Sequence, residues 1–92
     1  MADVPSGKQP EPGPFARAVS DQIRLALTRH RVSGNQLAAR IERSQSYMSV
    51  RLRNEASFTA NDVDEICLAL GEDLEGILRA AVRAARAERE AR

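Results

Sequence analysis

Residues 44–53, Ser-Gln-Ser-Tyr-Met-Ser-Val-Arg-Leu-Arg, combine several uncharged polar side chains with two arginines. At about 100° per residue, a helix over 45–53 turns Met48 and Leu52 to one side. The opposite side carries Ser46, Ser49, Val50 and Arg53, and Gln45 lies at the exposed N-terminal end. Gln and Ser form hydrogen bonds with base edges, and a small apolar side chain contacts a thymine methyl group. These residue types at this spacing indicate a helix that enters the major groove of duplex DNA.

Arginines surround this helix, and arginine is a residue type that pairs with phosphates. Backbone amides at a helix N-terminus, here near Ser33, also bind anions. Tyr47 has two interpretations: it contacts a phosphate or sugar, or it is a partly buried structural tyrosine. The predicted DNA-binding residues are Asn35, Gln36, Arg40, Arg43, Ser44, Gln45, Ser46, Tyr47, Ser49, Val50, Arg51 and Arg53.

Two helices joined by a tight turn are predicted to hold this surface, over residues 33–54. Ser33 and Gln36 match a capping box, in which each side chain accepts a hydrogen bond from the other residue's backbone N–H. Val32 is placed to pack onto the fourth helical position. Ser44 is the N-cap candidate of the second helix. The apolar stripe of the first helix is Leu37, Ala38 and Ile41.

The motif resembles the phage repressor/Cro class of helix-turn-helix domains, also called the xenobiotic-response-element family. The residues that carry the resemblance are Ser33, Leu37, Ala38, Ile41 and the run 44–49. The resemblance extends from about Phe15 to Leu78. It implies an all-α, five-helix, lambda-repressor-like domain that binds double-stranded DNA, here with an extended C-terminal helix. Without the resemblance, the same residues also fit a plain helical hairpin in a bundle.

Two positions depart from the pattern of that family. The family often has Gln where this chain has Gly34, which removes the basis for one phosphate contact. It often has Gly in a left-handed conformation where this chain has Glu42. A glutamate with positive φ is uncommon, so the resemblance predicts a strained or altered turn at this position.

Three further helices are predicted around the motif, each from its own start signal. Proline suits the first turn of a helix, and Thr and Asp are N-cap residues. These signals predict a helix from Pro14, an acidic helix over 59–70 and a C-terminal helix over 73–90. The predicted DNA-binding domain spans residues 14–92.

Catalytic and metal-binding patterns are absent from the sequence, which has no Gly-rich phosphate loop, no Cys/His ligand set and no nucleophile with a plausible base. His30, near a predicted helix C-terminus, is interpreted as structural. Cys67 is interpreted as a small core residue rather than a reactive thiol. Asp62, Asp64 and Glu65 suit a first helical turn and lack calcium-loop spacing. We therefore expect no enzyme activity, no metal and no cofactor.

Composition limits the chain to one modest domain. It has 92 residues, 42% of them hydrophobic and 29% charged, with three aromatic residues and one cysteine. A single cysteine excludes a disulfide framework within the chain and fits a reducing compartment. No apolar run approaches the roughly 18 residues of a membrane span, and no secretion signal precedes the domain. We expect a cytoplasmic protein, associated with the nucleoid through DNA binding.

The net charge of +1 hides a strong division along the chain. Residues 15–56 carry eight arginines and three acids, whereas residues 57–78 carry six acids and no base. Residues 79–92 are basic again, with five arginines and two glutamates. The motif therefore lies in a basic part of the chain, as attraction to phosphates requires.

The two ends of the chain allow alternatives. Residues 1–13 contain Pro5, Pro10 and Pro12 without periodicity, and we interpret them as a disordered arm, although some relatives use such an arm on DNA. The C-terminal apolar stripe has no obvious partner beyond about Ala81. It is either a solvated helix end or a dimerisation surface formed by Ile77, Leu78, Ala81, Val82 and Ala85.

Two functions from different classes remain. The first is a sequence-specific DNA-binding transcriptional regulator, a repressor of phage-repressor/Cro, controller or antitoxin type. It would act as a weak homodimer, with no small-molecule effector evident. The second is a protein-interaction module that docks partners through the acidic helix 59–70 or the C-terminal helix. The basic surroundings of helix 45–53 favour the first.

Overall fold

The computed structural model describes residues 10–91, and within that range the chain forms five α-helices and no strand. The helices are α1 (Pro14–His30), α2 (Gly34–Arg40), α3 (Gln45–Leu52), α4 (Ala60–Leu70) and α5 (Leu74–Glu90). The predicted five-helix, all-α fold is therefore confirmed, and α3 ends one residue earlier than predicted. Residues 1–9 of the predicted arm lie outside the described residues.

Short-range capping signals set where the helices begin. At α2, Ser33 Oγ accepts from Gln36 N at 3.0 Å, and Gln36 Oε1 accepts from Ser33 N at 2.8 Å. Thr59 and Asp62 form the same reciprocal box at α4, with both distances 3.0 Å. Asp73 caps α5 by accepting from the backbone N–H of its third helical residue at 3.0 Å. These three of the four predicted N-caps are confirmed, and Ser44, the fourth, caps α3.

Left-handed residues end the first four helices: Arg31 (φ 55°), Glu42 (φ 59°), Asn54 (φ 62°) and Gly71 (φ 69°). At the motif turn, Arg43 N donates to Ala38 O at 2.9 Å and Glu42 N donates to Ala39 O at 3.3 Å. Glu42 therefore keeps the left-handed turn that the resemblance implies for glycine. A non-glycine residue in this conformation costs roughly 1–2 kcal/mol, so the predicted strain is present.

The hydrophobic core is built from buried side chains of all five helices. Its fully buried side chains include Ile23 of α1, Leu37 of α2, Met48 of α3 and Ile66 of α4. Cys67 is also buried, and burial raises the pKa of its thiol, which agrees with a core residue rather than a reactive one.

The apolar stripe of α5 does not match its prediction. Ile77, Ala81 and Ala85 are buried within the chain, because α5 packs along the whole of α1. Arg17 of α1 also forms an ion pair with Glu88 near the end of α5. The expectation that the stripe lacks an intramolecular partner is therefore wrong. Of the predicted dimerisation residues, Leu78 is half-buried and Val82 is 41% exposed.

His30, at the end of α1, forms a hydrogen bond with Glu72 in the turn before α5. Its Nε2 atom lies 2.6 Å from Glu72 Oε2, and an Arg29 guanidinium nitrogen lies 3.1 Å from the same oxygen. The hydrogen bond with His30 lowers the pKa of Glu72. Partial burial acts in the opposite direction, and the nearby Arg29 lowers the pKa further. This contact agrees with the structural interpretation of His30.

Candidate nucleic-acid interface

Helix α3 divides into a core side and a solvent side. Ser44 caps it by accepting from Tyr47 N at 3.0 Å. Met48 is buried in the core, and Leu52 packs against the core's edge. Gln45 and Ser46 are exposed, whereas Ser49 and Val50 are half-exposed. The structure thus turns the predicted base-reading side chains to solvent on one side of α3.

A shallow concave surface joins these side chains to the start of α2. The residues that line it are Asn35, Gln45, Ser46, Ser49, Val50 and Arg53. No carboxylate belongs to this set, and its single charged side chain is Arg53. Uncharged hydrogen-bonding groups beside one cation suit contact with base edges and a neighbouring phosphate.

Gly34 permits the close approach of α2 to α3. A Cβ atom at this position would lie 2.9 Å from Leu52 Cδ1, closer than packed atoms tolerate. The glycine that departs from the family pattern therefore lies directly against the end of the Leu52 side chain, which would have to shift to admit a larger residue. The neighbouring Asn35 and Gln36 remain exposed.

Arg40 and Arg53 are the predicted phosphate contacts whose side chains remain exposed. Arg40 lies in the last turn of α2. Arg53 Nε donates to Glu55 Oε2 at 2.9 Å, and the same guanidinium bonds Ser49 Oγ. The hydrogen bond from Arg53 lowers the pKa of Glu55. Both side chains of the pair are 56% exposed, so the interaction is weak and screened by salt, and a phosphate can replace Glu55.

Tyr47 points to α4 rather than to solvent. Its hydroxyl donates to Asp62 Oδ2 at 2.7 Å. The Arg51 guanidinium lies 3.4 Å from the centroid of the Tyr47 ring, at stacking distance. Burial raises the pKa of the Tyr47 hydroxyl, and its bond to the Asp62 carboxylate adds to that rise. Of the two interpretations of Tyr47, the contacts favour the partly buried structural residue.

Arg43 and Arg51 also contact Asp62. Arg43 Nε donates to Asp62 Oδ1 at 3.1 Å, and another guanidinium nitrogen lies 3.3 Å from Glu65 Oε2. Arg51 donates to Tyr47 O at 3.1 Å, and its Nε lies 4.0 Å from Asp62 Oδ2. These contacts are within the protein, so they do not support the phosphate-binding role predicted for the two arginines.

Asp62 is the residue beside α3 whose contacts with Arg43, Tyr47 and Arg51 the sequence does not predict. Its carboxylate is buried, which by itself would raise the pKa. Hydrogen bonds from Thr59 and Tyr47, together with the charge of Arg43, instead hold the pKa below its usual value. The sequence predicts Asp62 as a capping residue. The sequence does show acids in α4 and arginines beside α3. Helical spacing does not show which acid contacts which arginine.

Neither a metal-binding cluster nor a membrane-spanning helix is found in the part of the chain that the structure describes. Across residues 10–91, no group of three or more His, Cys, Asp and Glu side chains is arranged to hold a metal ion. Within the same residues, none of the helices combines the length and the apolar character that a membrane crossing requires.

Solved structures of similar fold include two crystal structures of the clp gene regulator ClgR from Corynebacterium glutamicum. One has a TM-score of 0.75 at 22% identity, covering 88% of this chain and 85% of the ClgR chain. The other has a TM-score of 0.68 at 22% identity, covering 74% and 88% respectively. No protein-family model and no curated protein matches the chain. At this identity the likeness shows the fold, a small all-helical helix-turn-helix domain.

Proposed function

We propose that this protein is a sequence-specific, double-stranded-DNA-binding transcriptional regulator that reads the major groove with α3. The observation that carries the proposal is the exposed side of that helix. Gln45, Ser46 and Ser49 face solvent together with Val50, and the concave surface they line contains no acid. The ClgR structures are described as a gene regulator, and this description supports the same class of function here.

Each reading residue has a role that follows from its chemistry. Gln45 binds the N6 and N7 edge of adenine with its amide. Ser46 and Ser49 donate to or accept from neighbouring base edges. Val50 contacts a thymine methyl group. These short side chains allow the helix backbone to approach the groove floor.

Phosphates are held by the exposed groups around α3. Arg40 and Arg53 supply positive charge from the two sides of the turn. Asn35 and Gln36, in the first turn of α2, offer side-chain amide groups, and Asn35 also offers its backbone N–H. Ser44 offers a hydroxyl at the start of α3. Arg43, Arg51 and Tyr47 instead support α3 from within the protein.

The regulator represses by occupying a promoter. The five-helix domain of residues 14–90 fits the phage-repressor/Cro, controller and antitoxin types equally. Repression of this kind needs only occupancy, whereas activation would require a defined contact surface for polymerase. The protein acts in the cytoplasm, at the nucleoid, and needs no cofactor.

Specificity requires more than one copy of α3. A single recognition helix reads a few base pairs, too few to mark one site among roughly a million competitors. Two copies on half-sites about one helical turn apart supply the rest. Phe15 and Val82 line one exposed groove, and Phe15 and Leu78 line another. Because this apolar surface is small, the homodimer is weak in solution and stabilised by DNA.

A second candidate is a protein-interaction module. Leu68 is 76% exposed on the acidic helix α4, with Asp64 one turn earlier on the same helix. An exposed leucine beside acids suits a basic, apolar partner. This function would leave the exposed side of α3 without a role, so we place it second.

Selection of bound sequences from a randomised duplex library separates the two candidates. A DNA-binding regulator enriches a short motif with two-fold related half-sites. Footprinting on the enriched duplex then locates the protected major-groove bases. Failure to enrich any motif at low salt, with a folded protein, would reject the DNA-binding proposal.

A further inference from the structure

Two arginines beside the reading surface of α3 are turned into the protein. Arg43 lies in the turn before α3, and Arg51 lies in its last turn, next to Val50. Their side chains are only 25% and 13% exposed, although arginine is normally a surface residue. Asp62, 1% exposed, lies between them, 3.1 Å from Arg43 Nε and 4.0 Å from Arg51 Nε.

A buried carboxylate is unfavourable unless hydrogen bonds and positive charges compensate for the water it has lost. Asp62 receives hydrogen bonds from Thr59 N, the Tyr47 hydroxyl and Arg43 Nε. Moving a guanidinium away would leave this buried charge with fewer partners, so the arginines are retained. Among the described residues, Arg51 Nε has no hydrogen-bond partner. The Arg51 side chain is held by charge attraction to Asp62, by stacking on Tyr47 and by a hydrogen bond to Tyr47 O.

We infer that Asp62 is a positioning residue that sets the specificity of the proposed DNA interface, by keeping Arg43 and Arg51 paired inside the protein. A free guanidinium is attracted to the phosphates of every sequence, so it strengthens specific and non-specific binding alike. Specificity is the difference between the two affinities. Holding two cations away from the groove lowers the non-specific affinity, while Gln45 and its neighbours keep the base contacts. This inference rests on the proposed function.

The variant Asp62→Asn tests the inference, because it removes the charge and keeps the size. Binding to a random duplex and to the selected duplex is measured over a range of salt concentrations. The released arginines should steepen the log–log salt dependence on random duplex by about 0.9 for each arginine that reaches a phosphate. Affinity for random duplex should rise severalfold at low salt, and the ratio of selected to random affinity should fall.

The matched control is Asp64→Asn, which removes the same charge from an exposed position on the same helix. It should change both affinities only slightly and leave the salt dependence as in the wild type. A merely structural role of Asp62 would lower both affinities without steepening the salt dependence. That result, or equal behaviour of the two variants, would overturn the inference.

A second variant covers the case in which Asp62→Asn does not fold, which circular dichroism would reveal. Arg43→Gln removes one paired cation and should leave the salt dependence unchanged, whereas Arg53→Gln should flatten it by about 0.9. If both variants flatten the salt dependence of binding equally, the inference about Asp62 is wrong but the proposed function stands. A wild-type protein that binds neither duplex would instead reject the proposed function, and this inference with it.

Discussion

The Tyr47 hydroxyl of α3 donates a 2.7 Å hydrogen bond to Asp62 Oδ2 of α4. Asp62 is at the same time the capping-box residue of its own helix, where Oδ2 accepts from Thr59 N at 3.0 Å. One buried carboxylate therefore fixes both the start of α4 and the rotation of α3 about its axis. The orientation of the exposed side of α3 depends on a residue that does not belong to it.

Tyr47→Phe should remove this link while keeping the ring on which Arg51 stacks at 3.4 Å. A hydrogen bond to a charged acceptor contributes about 1.5–3 kcal/mol, so the free energy of unfolding should fall by about that amount. Urea denaturation measures it. A loss below about 0.5 kcal/mol would mean that water replaces the hydroxyl at Asp62 without cost.

Asp62 should also make stability depend on pH in the acid range. Its pKa in the folded protein is lowered, so its contribution is complete above the unfolded-state value of about 3.9. That contribution is lost as the pH falls through the lower folded-state pKa. The free energies of unfolding of wild type and Asp62→Asn should therefore converge as the pH falls below about 4. A difference that stays constant as the pH is lowered would show that Asp62 is not charged in the folded protein.

Glu42→Gly should stabilise the protein. Glu42 has φ 59°, a conformation that costs a non-glycine residue roughly 1–2 kcal/mol. The greater freedom of glycine in the unfolded chain offsets part of the gain, which leaves about 0.5–1 kcal/mol in thermal or urea unfolding. Gly71→Ala is the control for the reverse change, from glycine to a residue with a Cβ atom. Gly71 has φ 69° and open space around it, so alanine should destabilise through the backbone alone. Destabilisation by Glu42→Gly would indicate a favourable contact of the glutamate side chain.

Gln45→Ala should weaken binding to the selected duplex by about 1–3 kcal/mol and leave binding to random duplex almost unchanged. Gln45 is exposed at the start of α3, where its amide reaches base edges. Arg53→Ala is the contrasting control, since loss of a phosphate contact weakens binding to all duplexes and flattens the salt dependence by about one unit. Equal losses on both duplexes for Gln45→Ala would show that Gln45 does not read bases.

The sequence predicts well those features that depend on residues close together in the chain. The Ser33 and Thr59 caps are local hydrogen bonds between residues three positions apart, and the apolar stripe of α2 follows from helical spacing. The positions of Arg43 and Tyr47 depend on contacts with Asp62, 19 and 15 residues away. Spacing within one helix cannot show which side faces another helix. The sequence therefore predicts a DNA contact for Arg43 and leaves Tyr47 open between a DNA contact and a structural role.

Ala85 shows that the sequence also does not predict which helices pack against each other. Its place on an apolar stripe is visible in the sequence, but whether another helix covers it depends on how α5 lies along α1. The structure leaves Ala85 1% exposed, whereas the sequence suggested a free stripe from about Ala81 onward. A long α1 that begins at Pro14 supplies the missing partner.

Val82→Asp should separate the proposed dimer contact from the core. Val82 is 41% exposed, and a charge there should change the free energy of unfolding by about 0.5 kcal/mol or less. If two copies meet through this surface, the charge would be buried between them, and the complex with a two-half-site duplex should weaken. Ala85→Leu is the matched control, because overpacking a buried position should cost about 1–3 kcal/mol of stability. Sedimentation of the free protein and of the DNA complex gives the number of chains. Two Val82→Asp chains on the duplex with wild-type affinity would exclude Val82 from the dimer contact.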